Sequence, residues 1–254
     1  MIDIHCHILP SVDDGAKDIS DSIEMAREAV KEGIHTIIAT PHHKNGKYEN
    51  IKIEVIEKVN HLNTVLKNEN IPLTILPGQE TRIFGEILEE SEFEHILPLN
   101  FTHYIFIELP SSHVPRYTEK LLFDIQLKGL TPIIVHPERN QEIMSNPDSL
   151  YNLVKKGALT QVTASSVAGY FGKKIRSFSF QLIEADLAHF ISSDAHNITN
   201  RGFKITEALD VIDKRYGVDM IYFFTENVEL LIEGKSIYKE EPQRVRKKKF
   251  LGIF

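Results

Sequence analysis

Short apolar, β-branched segments alternate with longer segments of helical period along this chain. This pattern is typical of βα units around a parallel sheet. A chain of 254 residues also has the usual size of one α/β barrel. The sequence predicts seven strands: 2 to 7, 35 to 43, 73 to 80, 103 to 110, 131 to 139, 159 to 166 and 189 to 196.

The segments between the strands have the periodicity of amphipathic helices. In residues 18 to 33, one face carries Ile19, Ile23, Ala26 and Val30, and Gly33 provides a stop signal. Further helices are predicted at 49 to 69, 116 to 128, 146 to 157, 172 to 186, 203 to 216 and 225 to 233. Since no Gly/Ser-rich linker divides the chain, we predict one domain over residues 1–238 and a basic, then apolar, tail over 239–254.

Charge and cysteine content exclude several classes of function. A net charge of −7 argues against nucleic acid as the main partner, because phosphate backbones are bound by an excess of Lys and Arg. The single cysteine cannot form an internal disulfide, and the first residues do not resemble a signal peptide. No apolar segment approaches the roughly 20 residues that cross a bilayer. We therefore predict a cytoplasmic protein without a transmembrane segment.

Polar donors or charges stand at the ends of six of the seven predicted strands. In α/β sheets and barrels, binding groups gather at the carboxyl ends of the strands. The first predicted loop adds Asp14. The strand ends contribute, in chain order, His5 and His7, His42 and His43, Glu80, Glu108, His136 with Arg139, and Asp194 with His196.

The alternation of side chains along a strand separates neighbouring residues. His5 and His7 point to the same side, whereas Cys6 points to the opposite side and is expected to be a small buried apolar residue. His42 and His43 cannot both point inward on a regular strand, so we assign His42 to the site and His43 to a loop. The remaining histidines are expected at the surface or in satisfied polar contacts: 35, 61, 95, 103, 113 and 189.

So many polar groups at one barrel mouth require compensation. Arg139 and Arg201 are the obvious cations nearby, so divalent metal ions are the simplest way to balance the carboxylates. A set of nitrogen and oxygen donors without thiolate suits Mn²⁺, Fe²⁺ or Zn²⁺, and there are enough donors for two or three ions. A carboxylate such as Glu80 can bridge two ions about 3.5 to 4 Å apart, the arrangement used for phosphoryl transfer to water.

Six motifs in this order resemble the PHP (polymerase and histidinol phosphatase) superfamily: DIHCHILPSVDDGAKD, TPHH, PGQE, FIELP, HPERN and SSDAHN. Within it, the chain is most similar to the bacterial tyrosine phosphatases of the CpsB/CapC type, which are encoded with capsule and exopolysaccharide genes. The resemblance extends from residue 2 to about residue 235. The chain has SVDDG where such proteins often have GxDDG, which leaves Asp14 in place.

The resemblance implies a distorted seven-stranded (β/α)7 barrel of the TIM-like PHP type, with up to three metal ions, commonly Mn²⁺, with Fe²⁺, Zn²⁺ or Co²⁺ as alternatives. It implies that Arg139 and Arg201 bind the substrate phosphate, and that the substrates are phosphotyrosine proteins, among them a bacterial tyrosine kinase. Asp194, His196 or a metal-bound water could assist the leaving group. The implied ligands are His5, His7, Glu80 and Asp194 at one ion, Glu80, His42 and His136 at a second, and Asp14, Glu108 and His196 at a third.

Four other mechanisms or functions are weighed against this one. Hydrolysis of histidinol phosphate, or of another small phosphomonoester, would use the same site. An amidohydrolase also has HxH on its first strand, but often a modified lysine at the fourth strand end, where this chain has Glu108. A non-catalytic metal-binding PHP module is a third alternative. A cysteine phosphatase is excluded, because Val12 stands six residues after Cys6 where that mechanism needs arginine.

The C-terminal tail is unusual in composition. Five of the six residues from Arg244 to Lys249 are basic, and FLGIF follows. Such a segment is expected to be a solvated, disordered tail. A weaker hypothesis is that residues 244–254 contact a partner or an anionic membrane surface.

Overall fold

Parallel β-strands form the centre of the fold in this computed structural model, which describes residues 1–246. Each strand pairs in parallel with its neighbours. Within the described residues there are nine: β1 Ile2–Cys6, β2 Thr36–Ala39, β3 His42–His43, β4 Thr74–Pro77, β5 Glu80–Arg82, β6 Tyr104–Glu108, β7 Thr131–Val135, β8 Leu159–Thr163 and β9 Phe190–Ser192.

The seven predicted strands are all present, and two of them are split. The predicted strand at 35 to 43 becomes β2 and β3, and that at 73 to 80 becomes β4 and β5. One sheet has the order β1-β2-β4 and the other β3-β5-β6-β7-β8-β9. The end of β1 meets the segment after β9, where the His7 N–H donates to Ala195 and the Asp194 N–H donates to His5, both at 2.8 Å. The predicted distorted α/β barrel is confirmed.

The two interruptions direct ligand side chains into the barrel mouth. At the second, a Cβ on Gly78 would lie 2.6 Å from Cγ2 of Ile38, so this close approach requires glycine. After the interruptions, β3 and β5 pair with His42 directly opposite Glu80. The prediction that His43 lies in a loop is wrong: it belongs to β3 and is fully buried.

Helices cover the outside of the strands. Their bounds are α1 Ile19–Lys31, α2 Lys52–Asn68, α3 Glu90–Phe93, α4 Thr118–Leu127, α5 Gln141–Ser145, α6 Asp148–Lys155, α7 Ala164–Ala168, α8 Lys173–Glu184, α9 Ile205–Tyr216 and α10 Val218–Ile232. The short helices α3, α5 and α7 were not predicted, and α10 begins seven residues earlier than expected. In α1 the buried face is rotated from the predicted one, because Met25, Ala26 and Ala29 are buried while Ile19 is partly buried.

Two apolar layers hold the barrel together. The barrel interior contains Ile4, Phe106, Ile133 and Phe190, each fully buried. The second layer lies between the strands and the helices and includes Cys6, which is buried as predicted. Removal of these apolar side chains from water is the main stabilising contribution to such a fold.

The first half of the predicted tail contacts the domain. The Gln243 N–H donates to the Ala185 carbonyl at 2.8 Å, and Arg244 lies 2.6 Å from Asp148 of α6. Residues 239–246 are therefore not a free solvated tail, whereas the rest of the predicted tail, 247–254, lies outside the described residues. None of the helices within 1–246 combines the length and apolar character that a membrane crossing needs.

His189 gives the stability of the fold a pH dependence. It is 2% exposed, and its Nδ1 accepts the Thr160 N–H at 3.1 Å. Burial and the charge of Lys239 lower its pKa to about 3. Since an unfolded histidine titrates near pH 6.5, the unfolded state binds more protons than the folded state between these two values. The free energy of unfolding should therefore fall as the pH drops below about 6.5, by up to about 1.4 kcal/mol per pH unit from this residue.

Urea denaturation in EDTA at pH 7 and pH 5 measures this contribution. His189→Asn keeps an acceptor for the Thr160 N–H but does not titrate, so it should lose less stability than the original protein over that interval. Equal losses in the two proteins would show that His189 does not carry the effect.

Candidate metal centre

Glu80 is the centre of the predicted ligand set. Its carboxylate is fully buried at the start of β5. Oε2 lies 3.5 Å from His5 Nε2, 3.3 Å from His7 Nε2 and 2.8 Å from His42 Nδ1. Oε1 lies 2.8 Å from His136 Nε2. One carboxylate thus contacts four imidazoles, with its two oxygens directed to different histidines.

Asp194 closes one side of this cluster and joins it to two arginines. Its Oδ1 lies 3.5 Å from His5 Nε2 and 3.4 Å from His7 Nε2. Its Oδ2 lies 2.5 Å from Nη2 of Arg139 and 3.2 Å from Nη2 of Arg201. The two guanidinium groups therefore converge on one point at the edge of the cluster.

A second group of ligands surrounds Asp14. Its Oδ1 lies 3.4 Å from His42 Nε2 and 3.5 Å from His196 Nε2. Gly15 permits the loop to fold back over His7, because a Cβ at this position would lie 2.1 Å from the His7 carbonyl oxygen. All nine predicted ligands thus lie at the barrel mouth.

The grouping differs from the one that the resemblance implies. The resemblance implies that Glu108 shares an ion with Asp14 and His196. In the structure, Glu108 Oε2 lies instead 3.7 Å from His42 Nδ1, next to Glu80. Asp14 instead groups with His7, His42 and His196. The reason is that Glu108 ends β6, directly beside β5, whereas Asp14 reaches the mouth from the opposite side in the loop after β1.

Unpaired buried atoms test whether these residues fit metal ions. Among the described residues, four buried ligand atoms have no hydrogen-bond partner: His42 Nδ1, Glu80 Oε2, Glu108 Oε2 and His196 Nε2. Each of these four atoms lies near other polar atoms, but the geometry of these contacts is not that of a hydrogen bond. Buried polar atoms are nearly always satisfied, so such a concentration at one place requires an explanation. A cation among these nitrogen and oxygen atoms would satisfy them.

The charge balance leads to the same conclusion. Five carboxylates meet at the mouth: Asp13, Asp14, Glu80, Glu108 and Asp194. Within residues 1–246, three arginines contact them: Arg139, Arg201 and Arg82, which lies 3.0 Å from Glu108 and was not predicted from the sequence. The site therefore holds an excess of negative charge when its histidines are neutral.

The pKa values of two of the histidines reflect this excess, whereas burial and nearby cationic groups lower the pKa values of His136 and His196 to about 4. Burial opposes protonation of His42, but the charge of Glu80 and contacts with Asp14 raise its pKa to about 10. The pKa of His7 is also raised, against burial, by Asp13. The pKa of Glu108 is raised to about 7, because burial and the charge of Glu80 disfavour its ionised form. Protons on His7 and His42 thus supply positive charge that bound divalent ions would otherwise provide, and metal binding would release them.

Two residues that hold the ligands were missed from the sequence. Asp13 Oδ2 lies 2.7 Å from His7 Nδ1 and also accepts the His42 N–H at 3.1 Å. Gln161 lies 2.9 Å from His5 Nδ1 through Oε1. Partners of this kind fix the ring orientation of a metal-ligating histidine. The sequence signals were an acidic residue beside Asp14 and a glutamine within the predicted strand at 159 to 166.

Asp13→Asn should weaken metal binding without removing a ligand. Loss of the carboxylate beside His7 is expected to lower metal affinity about 10- to 100-fold. Metal titration followed by calorimetry measures this change. Asp21→Asn is the matched control. Asp21 belongs to the neighbouring helix α1, and its side chain accepts an exposed backbone N–H, that of Lys17. Equal affinity in the Asp13→Asn variant and in the control would contradict the role of Asp13.

A cavity of about 330 Å³ opens beside the ligands. Its polar lining includes His42, Glu108, His136, Arg139, Asp194 and Arg201. Leu109 and Pro137 add an apolar wall. The cavity thus offers cationic groups and an apolar surface next to the proposed ligands.

Comparison with known proteins places the chain among bacterial enzymes. It is 54% identical over 254 residues to the tyrosine-protein phosphatase YwqE of Bacillus subtilis, covering 100% of both chains. It is 32% identical over 250 residues to the tyrosine-protein phosphatase CpsB of Streptococcus pneumoniae, covering 96% of this chain and 98% of the relative.

Solved structures agree in fold. A chain from the crystal structures of YwqE and CpsB, described as unique metal-dependent tyrosine phosphatases, superposes with a TM-score of 0.95 at 55% identity, covering 97% of this chain and 100% of that one. Histidinol phosphate phosphatase of Lactococcus lactis superposes with a TM-score of 0.51 at 13% identity over 84% of this chain and 92% of that one, which shows a common fold alone.

The model of the family described as "Capsular polysaccharide synthesis, CpsB/CapC" matches residues 1–233. That match covers most of the chain, and YwqE is 54% identical to the chain over the full length of both. This protein therefore belongs to the CpsB/CapC family.

Proposed function

We propose that this protein is a metal-dependent protein-tyrosine phosphatase, a phosphoric monoester hydrolase. The observation that carries the proposal is the convergence of unpaired buried nitrogen and oxygen atoms around Glu80, beside two arginines that meet at Asp194. Relatives at 54% and 32% identity are named tyrosine-protein phosphatases, which supports the same reaction here.

We assign nine residues to two or three divalent ions, with Mn²⁺ as the proposed metal and Fe²⁺, Zn²⁺ or Co²⁺ as alternatives. The donor set of imidazole and carboxylate without thiolate supports this choice. When bound, such ions provide a water nucleophile at neutral pH and positive charge for the transition state. The proposed ligands are His5, His7, Glu80 and Asp194 for one ion, His136 and Glu108 with Glu80 for another, and Asp14, His42 and His196 for a third.

Arg139 and Arg201 are the proposed phosphate-binding residues. Their guanidinium groups converge on Asp194 at the cavity that the ligands also line. A planar guanidinium can donate two hydrogen bonds to one phosphate, so the pair can fix the three non-bridging oxygens of a phosphomonoester. The substrate ring would then lie against Leu109 and Pro137 of the cavity wall.

Phosphotyrosine makes a modest demand on acid catalysis. A phenol has a pKa of about 10, so phenolate leaves more readily than the alkoxide of serine or histidinol. Asp194 and His196 are the proposed groups nearest to the reaction that could donate or hold a proton. The phenol's own pKa of about 10 is the reason that this leaving group does not require a separate acid.

The proposed substrates are phosphotyrosine proteins of capsule or exopolysaccharide synthesis, among them a bacterial tyrosine kinase. The family description supports this setting. The extent of the domain, residues 1–238, its cytoplasmic location and a role of residues 244–254 in contacting a partner or membrane stay predictions.

Hydrolysis of three substrates by the Mn²⁺-loaded protein tests the proposed reaction. At equal Mn²⁺ concentration, we expect kcat/KM to be highest for a phosphotyrosine peptide and lower for a phosphoserine peptide and for histidinol phosphate. A preference for histidinol phosphate would favour the small-substrate alternative. Binding of phosphopeptide without turnover, with Mn²⁺, Fe²⁺ or Zn²⁺ restored, would favour a non-catalytic module.

A further inference from the structure

Glu138 lies next to Arg139 but is not among the residues that line the cavity at the barrel mouth. Its side chain is fully buried. Oε1 accepts the Thr163 N–H at 3.1 Å and the Ser166 hydroxyl at 2.6 Å. These two partners lie at the junction of β8 and α7. Glu138 therefore ties the turn after β7 to the next βα unit.

The same turn is tied on its other side by Asn140. Its Nδ2 donates to the Pro110 carbonyl at 2.7 Å and to the His113 carbonyl at 3.1 Å, in the loop after β6. The turn begins at His136, which has a left-handed φ of 37°. Arg139 thus leaves a short turn that is anchored to the neighbouring βα units on both sides.

Among the described residues, Arg139 forms ion pairs with two carboxylates. Asp194 contacts its Nη2, and Glu138 Oε1 lies 4.0 Å from its Nε. Within residues 1–246, neither Nε of Arg139 nor Oε2 of Glu138 has a hydrogen-bond partner. Asp194 is also a proposed metal ligand, whereas Glu138 is not.

We propose that Glu138 is a positioning residue that holds Arg139 in place to bind the phosphate of the substrate, an inference that rests on the proposed function. It acts through its anchor to Thr163 and Ser166 and does not touch the substrate. A displacement of about 1 Å in a substrate-orienting group can reduce the rate about 100-fold. An anchor on the backbone beside Arg139 limits such displacement.

Two substitutions separate the anchor from the charge. Glu138→Met keeps the length of the side chain but accepts neither hydrogen bond. Glu138→Gln removes the charge, while its carbonyl oxygen can still accept from Thr163 and Ser166. If the anchor is responsible, the Glu138→Met protein binds inorganic phosphate about 10- to 100-fold more weakly than the original protein. The Glu138→Gln protein should bind phosphate with an affinity within about threefold of the original.

Calorimetric titration of the Mn²⁺-loaded proteins with inorganic phosphate measures this affinity without requiring turnover. Metal content and Tm are measured for each variant, so a variant that does not fold or load metal is recognised. Glu142→Gln is the matched control, because Glu142 also accepts a backbone N–H in this region, from Val114 at 2.9 Å, and belongs to the following helix α5. It should leave the phosphate affinity unchanged.

A double-mutant cycle with Arg139→Met tests whether the effect passes through Arg139. With the guanidinium removed, Glu138→Met should cause no further loss of kcat/KM, whereas a general structural defect would add its full effect in both backgrounds. Additive losses, or unchanged phosphate affinity in a folded, metal-loaded Glu138→Met protein, would overturn the inference. Should the original protein itself neither bind phosphate nor hydrolyse phosphotyrosine, the proposed function fails instead.

Discussion

Replacing Glu80 with glutamine is expected to reduce phosphatase activity by about 1,000-fold or more and to lower the number of metal ions bound. Among the proposed carboxylate ligands, Glu80 contacts the most imidazoles, those of His5, His7, His42 and His136. The amide keeps the shape but loses the charge that balances bound cations. A loss of several kcal/mol of transition-state stabilisation by metal corresponds to roughly this reduction in rate.

Metal analysis and kcat/KM on a phosphotyrosine peptide measure this prediction together. Glu142→Gln, which changes a carboxylate outside the mouth, should retain both metal content and activity. A Glu80→Gln protein that binds the original number of ions and hydrolyses the peptide at the original rate would contradict the assignment of Glu80 as the shared ligand.

Replacing Arg139 or Arg201 with methionine should have the second largest effect. We expect each change to lower kcat/KM about 100- to 1,000-fold, because a donor aimed at charge that develops in the transition state contributes by this amount. The lysine variants should recover only part of the activity, since ammonium cannot donate two parallel hydrogen bonds to one phosphate.

The loss in the arginine variants should occur with the metal content unchanged. This distinction matters because both arginines also contact Asp194. Arg27→Met is the matched control, because Arg27 is exposed and pairs with Glu69 on the helical surface. If the arginine variants lose metal in proportion to activity, their role is to hold Asp194 and not to bind phosphate.

The ends of the strands were the most predictable part of the site. Apolar segments and helical periodicity located the seven strands, and the side chains at their carboxyl ends follow from the parallel architecture. His42 is an example, since it follows the Thr-Pro pair that comes directly after β2. His43 was wrongly predicted to lie in a loop. It belongs to the short strand β3, which is defined by its pairing with β5, a tertiary contact that the local sequence does not indicate.

The grouping of ligands was not predictable from the order of the motifs. Glu108 lies with Glu80 because β6 pairs with β5, whereas Asp14 reaches His196 through a loop that folds back over His7. The supporting contacts of Asp13 and Arg82 depend in the same way on where neighbouring strands end. Residue types and alternation predict which side chains face the mouth, but distances across the barrel determine which of them share an ion.

The central claim is that hydrolysis of phosphotyrosine depends on metal held at the barrel mouth. The most direct measurement is activity on a phosphotyrosine peptide as Mn²⁺ is titrated into extensively demetallated protein, with bound metal counted at each step. We predict that the demetallated protein has less than about 1% of the restored activity and that the rate rises with occupancy up to two or three ions. Full activity in EDTA, with no metal restored, would contradict the account.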